Sequence, residues 1–429
     1  MSKSILFYIS IILLVSSILL IAANNIPILL SYRWLWAPMF LLFSLFFYSK
    51  VLLHKSVRNA LLYGLLYAGL LQYTLWSHAN DWYKKAIFED FYALIVPVIL
   101  FAILNRYKYF KEWQKLAKLG VIFFIITGIM TIIATFKNPF VVRASYSSQQ
   151  FEIPNYDALF RLGFGSYGYM TALVSFLPIL VYYFKNNVYF WLSRKALIIL
   201  IIFFYVVLIR SQITANIIVA TIILILAYFG SEKFKRNIII ISIISIIIFA
   251  VPRHFWAKQI LHISSLFSPE SLLNNRLKDL ASYIINPEFT ETGAKTQVGT
   301  RFARYPMLLK AFIANPFFGD ANYESPFSYE LKVGGHLYWM SRLTLWGIFG
   351  FIGYIFLLKN IFTPIIKIFN SDFKFYYLLS LLSIIALGFM KNIAGREPYI
   401  MLFIIIPGLY FYQILNLNKQ KFNNQKKKS

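Results

Sequence analysis

Runs of about 15–20 apolar residues, set apart by short polar connections, recur along the whole chain. They lie near residues 5–23, 34–49, 59–77, 91–104, 119–136, 166–184, 196–209, 212–229, 237–251, 337–358, 376–390 and 398–413. A helix of that length crosses the hydrocarbon core of a bilayer. The pattern predicts an all-α polytopic membrane protein with about twelve transmembrane helices. The fourth run is short and holds Pro97. The seventh and eighth are parted only around Arg210-Ser211, as a tight hairpin or as one interrupted segment, and the second choice would invert everything after it. The first run, from Lys3 to Ala23, is long for a signal peptide, and Ala22-Ala23-Asn24 is a poor cleavage site, so an uncleaved first span is expected. The predicted division is nine helices over 1–251 with an outer connection at 137–165, a large loop over 252–336 carrying amphipathic helices, three helices over 337–413, and a basic tail at 414–429.

Charge adds orientation to this picture. Lysine and arginine total 42 against 16 acids. In a soluble protein that excess would suggest nucleic acid. Here the basic residues gather in the connections 50–58, 106–118, 185–195, 233–236 and 359–374 and in the tail. In a twelve-span arrangement these fall on one side, which the positive-inside bias assigns to the cytoplasm together with both termini. No nucleic-acid partner is expected, and the tail is expected near anionic lipid. The loops 137–165 and 252–336 then face outward, the second folded over the membrane face. There is no cysteine, hence neither a disulfide nor a thiolate metal site. His54, His78, His254 and His262 lack ligand spacing and no Asp-x-Asp pair occurs, so no metal is expected. No internal repeat is evident, which counts against a transporter built from duplicated halves.

Residues 299–350 read GTRFARYPMLLKAFIANPFFGDANYESPFSYELKVGGHLYWMSRLTLWGIFG. Arg301 opens a short amphipathic segment in which Tyr305, Leu308, Leu309, Phe312 and Ile313 fall at helical spacing with Lys310 opposite. Pro306 suits a first helical turn and Asn315-Pro316 ends the segment. Gly319 turns the chain, His336 follows Gly334-Gly335, and Gly347, Gly350 and Gly353 recur along the next apolar run, where they read as a helix-packing stripe.

This constellation resembles the O-antigen ligase and polymerase family of polytopic glycosyltransferases. Arg301, Tyr305, Pro316 and Gly319 sit where that family has an arginine, an aromatic residue four later, then Pro-x-x-Gly. His336, Gly347 and Gly350 sit where it has its histidine and the two following glycines. The family usually has Asn or Ser after the histidine, where this chain has Leu337. Ligases often carry an acid two residues before the first glycine, where this chain has Leu345. The resemblance implies a GT-C-like membrane fold, with a large periplasmic loop between helices nine and ten. It implies inverting, metal-independent glycosyl transfer at the outer face of the bacterial inner membrane, with no cofactor. Its implied partners are an undecaprenyl-diphosphate-linked glycan donor and acceptor, membrane lipid, and a chain-length regulator protein. The small-and-aromatic stretch 163–169 and the lack of an acid in 339–354 lean toward a repeat-unit polymerase. The alternative is a ligase that transfers the glycan to lipid A–core. A lipid-linked oligosaccharide flippase is a reading from a different class, although it would not need so large an outer loop.

His336, at the first turn of a helix, is held toward its neutral, basic form by the helix dipole and suits a general base; equally, a histidine there caps a loop carbonyl. Arg210 interrupts an apolar stretch, where a charge needs water, a partner or a ligand; it is read as a diphosphate ligand or as a turn arginine reaching the interface. Arg301 offers a planar fork to phosphate oxygens, or is a solvated loop charge. Arg304, Arg161, Asp157 and Glu324 are secondary candidates. Asp320 and Glu330 read as solvated acids, Arg342 as an interior ion-pair partner, and Arg396-Glu397 as a local pair.

Overall fold

The structure is a computed structural model that describes residues 2–27, 31–71, 81–144, 153–186, 188, 190–229, 252–267, 269, 272–285, 297–320, 337–393 and 395–415. For 33–34, 81–85, 143–144, 253, 272–273, 276, 283 and 297–303 it describes the backbone alone. The ninth apolar run, His336, Glu324, Glu330 and the tail from 416 lie outside the described residues.

The architecture is that of an all-α membrane protein. Among the described residues, six helices are long and apolar enough to cross a membrane: Ala86–Arg106, Phe110–Lys137, Tyr167–Lys185, Tyr338–Ile366, Ser371–Met390 and Arg396–Leu415. Ser2–Ile18, Ala37–Phe47 and Thr214–Phe229 are shorter apolar helices. The chain divides into two compact units, residues 1–228 with 352–429, and residues 229–351.

In the first unit, Tyr167–Lys185 is buried over almost its whole circumference, as a helix apolar all round should be. It packs on Ser371–Met390, Arg194–Arg210 and Arg396–Ile400. Its neighbours bury one face and expose another that is equally apolar. Ile122, Ile129, Ile133 and Phe136 are exposed on Phe110–Lys137, and Leu378, Leu382, Ile385 and Phe389 on Ser371–Met390. Such stripes suit lipid rather than water.

The uncertain seventh and eighth runs are two helices, Arg194–Arg210 and Thr214–Phe229. The chain turns through Gln212 at φ 55°, and Tyr205 meets Thr221 hydroxyl to hydroxyl at 2.6 Å, so the pair is a hairpin. The short fourth run is the C-terminal part of a longer helix, Asp81–Arg106, which accommodates Pro97.

The basic connections of this unit gather at one end. Lys3 pairs with Glu112 at 2.9 Å, Lys118 lies 4.1 Å from the Tyr412 ring centre, and Gln114 donates to the Phe411 carbonyl at 2.9 Å. The Tyr48 and Tyr107 rings are 5.0 Å apart, Tyr183 and Phe190 4.6 Å, and the Asn370 N–H donates to the Tyr410 hydroxyl at 3.0 Å.

In the second unit, Arg253–Ser264 packs on Leu272–Ile285, which packs on Gln297–Ala314. The Asn274 amide donates to the Ser264 and Phe267 carbonyls at 2.8 and 3.0 Å and closes the end of the first helix. The predicted amphipathic segment starts earlier than Arg301, at Gln297, so Pro306 sits inside the helix rather than in its first turn. The expected stop at Asn315-Pro316 agrees with the helix end at Ala314.

Candidate functional site

Two sites are built from the residues singled out above, one in each unit. In the second unit, the two halves of the sequence motif meet backbone to backbone. Helix Gln297–Ala314 ends before Pro316, and the chain turns at Gly319 with φ 76°. Helix Tyr338–Ile366 is interrupted at Gly347, whose φ of 61° and ψ of −173° is a conformation reserved almost entirely to glycine. In an unbroken helix the Ile348 N–H would donate to the Thr344 carbonyl. Instead it donates to the Pro316 carbonyl at 2.8 Å, and the Thr344 carbonyl accepts from the Asp320 N–H at 3.0 Å. The Phe349 N–H reaches the Phe317 carbonyl at 3.4 Å. Thr344 also holds the preceding helix, its hydroxyl lying 3.0 Å from the Leu308 carbonyl.

Neither glycine admits a side chain. A Cβ on Gly319 would run into the Leu345 carbonyl, and one on Gly347 into the Phe317 carbonyl. The expectation of a glycine packing stripe is therefore corrected: Gly347 breaks the helix so that the Pro-x-x-Gly turn can take over its hydrogen bonds. A Cβ on Gly350 would meet the Trp346 side chain, and one on Gly353 would lie 2.7 Å from the Tyr67 hydroxyl oxygen.

Arg301 lies in the first turns of Gln297–Ala314, with its side chain outside the described atoms. Arg304, one turn later, is buried. Arg342 is buried with its guanidinium 3.3 Å from the Tyr338 ring centre, so the expected interior arginine stacks on an aromatic ring. Leu337, next to His336, has φ 59°. That left-handed conformation is one that Leu resists.

The second site lies in the first unit, at the end opposite the basic connections. Lys391, just past Ser371–Met390, is buried; its ammonium donates to the Thr171 hydroxyl at 2.8 Å and lies 5.5 Å from the Tyr167 ring centre. Glu397 is buried and accepts from the Ser166 hydroxyl at 2.7 Å; the Ser166 oxygen caps its own helix by accepting from the Tyr169 N–H at 3.0 Å. Arg396 donates to the Ser16 carbonyl at 3.0 Å and lies 4.7 Å from the Tyr32 ring centre, with its Nε buried and unbonded. Arg396 and Glu397 do not pair with each other as expected, because neighbours in a helical turn point to different faces. Asp90 is buried and accepts from the Tyr399 hydroxyl at 3.4 Å.

Arg210 is at the same end. It donates to the Thr135 carbonyl at 2.6 Å and to its hydroxyl at 3.4 Å, and lies 4.5 Å from the Phe136 ring centre. It thus satisfies the last turn of Phe110–Lys137, and its other guanidinium donors make no hydrogen bond among the described residues. Asp157 and Arg161 are exposed on the short helix Tyr156–Arg161, which Asn24 and Asn25 tie down through the carbonyls of Phe160 and Arg161 at 2.6 and 2.8 Å.

Sequence reasoning passed over Lys391 and Asp90. The signal for the first was a lysine directly after a long apolar run. For the second it was an acid at the edge of an apolar run. Burial pushes the Lys391 ammonium down from its ordinary 10.5 to about 7, so this group exchanges a proton near neutrality. Between those values the folded state binds fewer protons than the unfolded one, and folding stability contributed by Lys391 rises with pH. Lys391→Met, which removes a costly buried charge, is expected to unfold at higher temperature than the parent at pH 6. The gap is expected to shrink by pH 10, and a gap constant across pH would show that the ammonium is not the cause.

No family model and no curated protein matches this chain.

Proposed function

We propose that this chain is a membrane-integral glycosyltransferase that polymerises undecaprenyl-diphosphate-linked repeat units at the outer face of the bacterial inner membrane. The reading rests on the resemblance of residues 301–350 to the O-antigen ligase and polymerase family. The observation that carries it is the exchange of hydrogen bonds between Pro316–Gly319 and Thr344–Phe349. Two motif halves separated along the chain are one built object, as they should be if they serve one site. In this reading the chain has twelve spans, the basic end faces the cytoplasm, and the 252–336 loop faces the periplasm.

The reaction is the one that the resemblance implies. The acceptor hydroxyl attacks the anomeric carbon of the donor, and the bond from that carbon to the lipid diphosphate breaks. The hydroxyl proton passes to His336, and the configuration inverts. The resemblance assigns Arg301 and Arg210 to the diphosphate, whose charge they would offset as it leaves. Arg304, Arg161, Asp157 and Glu324 are secondary candidates for contacts with the glycan. Leu345, where ligases often carry an acid, favours polymerase over ligase.

The test is to incubate the purified full-length protein with lipid-diphosphate-linked repeat units, with and without lipid A–core. A ladder of products differing by one repeat, formed without lipid A–core, is expected. Product that forms only with lipid A–core would make the chain a ligase. Donor bound but no new glycosidic bond with either acceptor would overturn the transferase reading and leave the flippase.

A further inference from the structure

The second unit carries an apolar surface that neither its own core nor the proposed chemistry uses. Leu309 and Ile313 are exposed one turn apart on Gln297–Ala314, and Phe317 and Phe318 continue the patch into the turn at 57% and 68% exposure. Phe349, 60% exposed, completes it: its ring stacks on Phe317 at 5.7 Å and lies 5.9 Å from Phe318. A patch of five large apolar side chains needs a partner. Phe349 belongs to Tyr338–Ile366, a helix long and apolar enough to cross a membrane, so the patch extends the exposed apolar face of that helix.

We propose that the end of helix Gln297–Ala314 and its Phe317-Phe318 tip are immersed in the acyl chains of the bilayer, as a wedge entering the membrane from the loop side. This goes beyond a loop folded over the membrane face, and it does not depend on the transferase reading.

The backbone supports insertion. Irregular chain is tolerated at membrane depth only where its polar groups are paired, since each unmade hydrogen bond there costs several kcal/mol. Here four backbone groups of the turn are paired, and the Phe317 and Phe318 N–H groups, which make no hydrogen bond among the described residues, keep the tip at shallow depth. The Pro316 and Phe317 carbonyls accept from Ile348 and Phe349, the Asp320 N–H donates to Thr344, and the Gly319 N–H donates to the Asn315 carbonyl at 3.0 Å. Pro316 has no N–H to satisfy. Lys310, exposed beside Leu309, has a stem long enough to carry its ammonium back to the headgroups. That limits the depth to about 5–10 Å below them, as for an interfacial amphipathic helix.

The absence of cysteine makes the test direct. Single cysteines replace Ile313 and Phe318, each is spin-labelled, and the full-length protein is placed in phosphatidylcholine–phosphatidylglycerol nanodiscs. Power saturation then compares collisions with oxygen, which partitions into acyl chains, and with a water-soluble nickel chelate. Leu382→Cys, on the exposed face of Ser371–Met390, is the lipid reference, and Lys258→Cys, exposed on Arg253–Ser264, the water reference. Both test sites should match Leu382 in oxygen access and lose nickel access relative to Lys258. Nickel access equal to that of Lys258 would overturn the proposal. So would protection from both reagents, which would show the patch covered by protein, a second copy or a partner. Two positions on separate turns, each checked for parental thermal unfolding, keep one misfolded variant from deciding the result.

Discussion

Gly347→Ala is expected to destroy the motif unit, lowering unfolding temperature and abolishing activity together. Two costs add. An alanine held at φ 61° and ψ −173° is strained by about 1–3 kcal/mol. Its methyl also enters the Phe317 backbone, an overpacking that costs about 1–3 kcal/mol more. Total losses of about 2–6 kcal/mol rival the stability of a domain. Gly319→Ala should fail in the same way, because its added carbon meets the Leu345 carbonyl at φ 76°. The two sites share one contact: a Cβ on Gly319 would lie 2.5 Å from the Gly347 nitrogen, and one on Gly347 would lie 2.6 Å from the Gly319 nitrogen. Once either has forced the turn away from the helix break, the other has little left to lose. The double variant should therefore be no worse than the poorer single one. Gly69→Ala, whose carbon meets only the Gly64 carbonyl oxygen at 3.5 Å, should behave as the parent. Thermal unfolding of the four purified variants decides the matter. Additive losses at 319 and 347 would mean that the turn and the break are separate features.

That exchange of backbone partners also marks where sequence reasoning stopped. Gly347, Gly350 and Gly353 have the spacing of a packing stripe, and nothing local distinguishes a glycine that packs from one that breaks a helix. The difference comes from Pro316, which lies far back along the chain and offers its carbonyl to Ile348. The same holds for Lys391, whose acceptor Thr171 is 220 positions away. Some local signals held: the helix Gln297–Ala314 ends before Asn315-Pro316, and the seventh and eighth apolar runs part beside Arg210-Ser211, through Gln212. Where propensity and packing disagreed, packing prevailed. Pro306 suits a first turn, but the helix begins nine residues earlier, at Gln297, and packs on Leu272–Ile285. The hydrophobic pattern made the membrane class and most of the helices legible, because period and length are local properties. It could not reveal the buried polar cluster, whose members come from helix ends scattered over the first unit.

The proposed roles of His336, Arg301 and Arg210 separate by how each substitution fails. Arg301→Lys keeps the charge but loses the planar fork that pairs with phosphate oxygens, so donor affinity and turnover should fall together. Arg210→Ala should do the same more severely, because a diphosphate leaving in a poorly solvated site depends on its cations. That variant also releases the Thr135 carbonyl at the end of Phe110–Lys137, so its unfolding temperature must be measured beside its kinetics. Loss of stability with intact donor binding would reduce Arg210 to a helix cap. His336→Ala should leave donor binding nearly intact and slow single-turnover transfer by about a hundredfold or more, the usual scale for a lost general base. A base that must be neutral to work should also give the parent a rate that falls below the pKa of the imidazole, and His336→Ala should flatten that limb. If His336→Ala instead abolishes donor binding while donor already bound still reacts at the parental rate, the imidazole is a phosphate ligand. The proton acceptor would then be sought among the loop acids, with Asp157, exposed on the short helix Tyr156–Arg161, and Glu324 tested next.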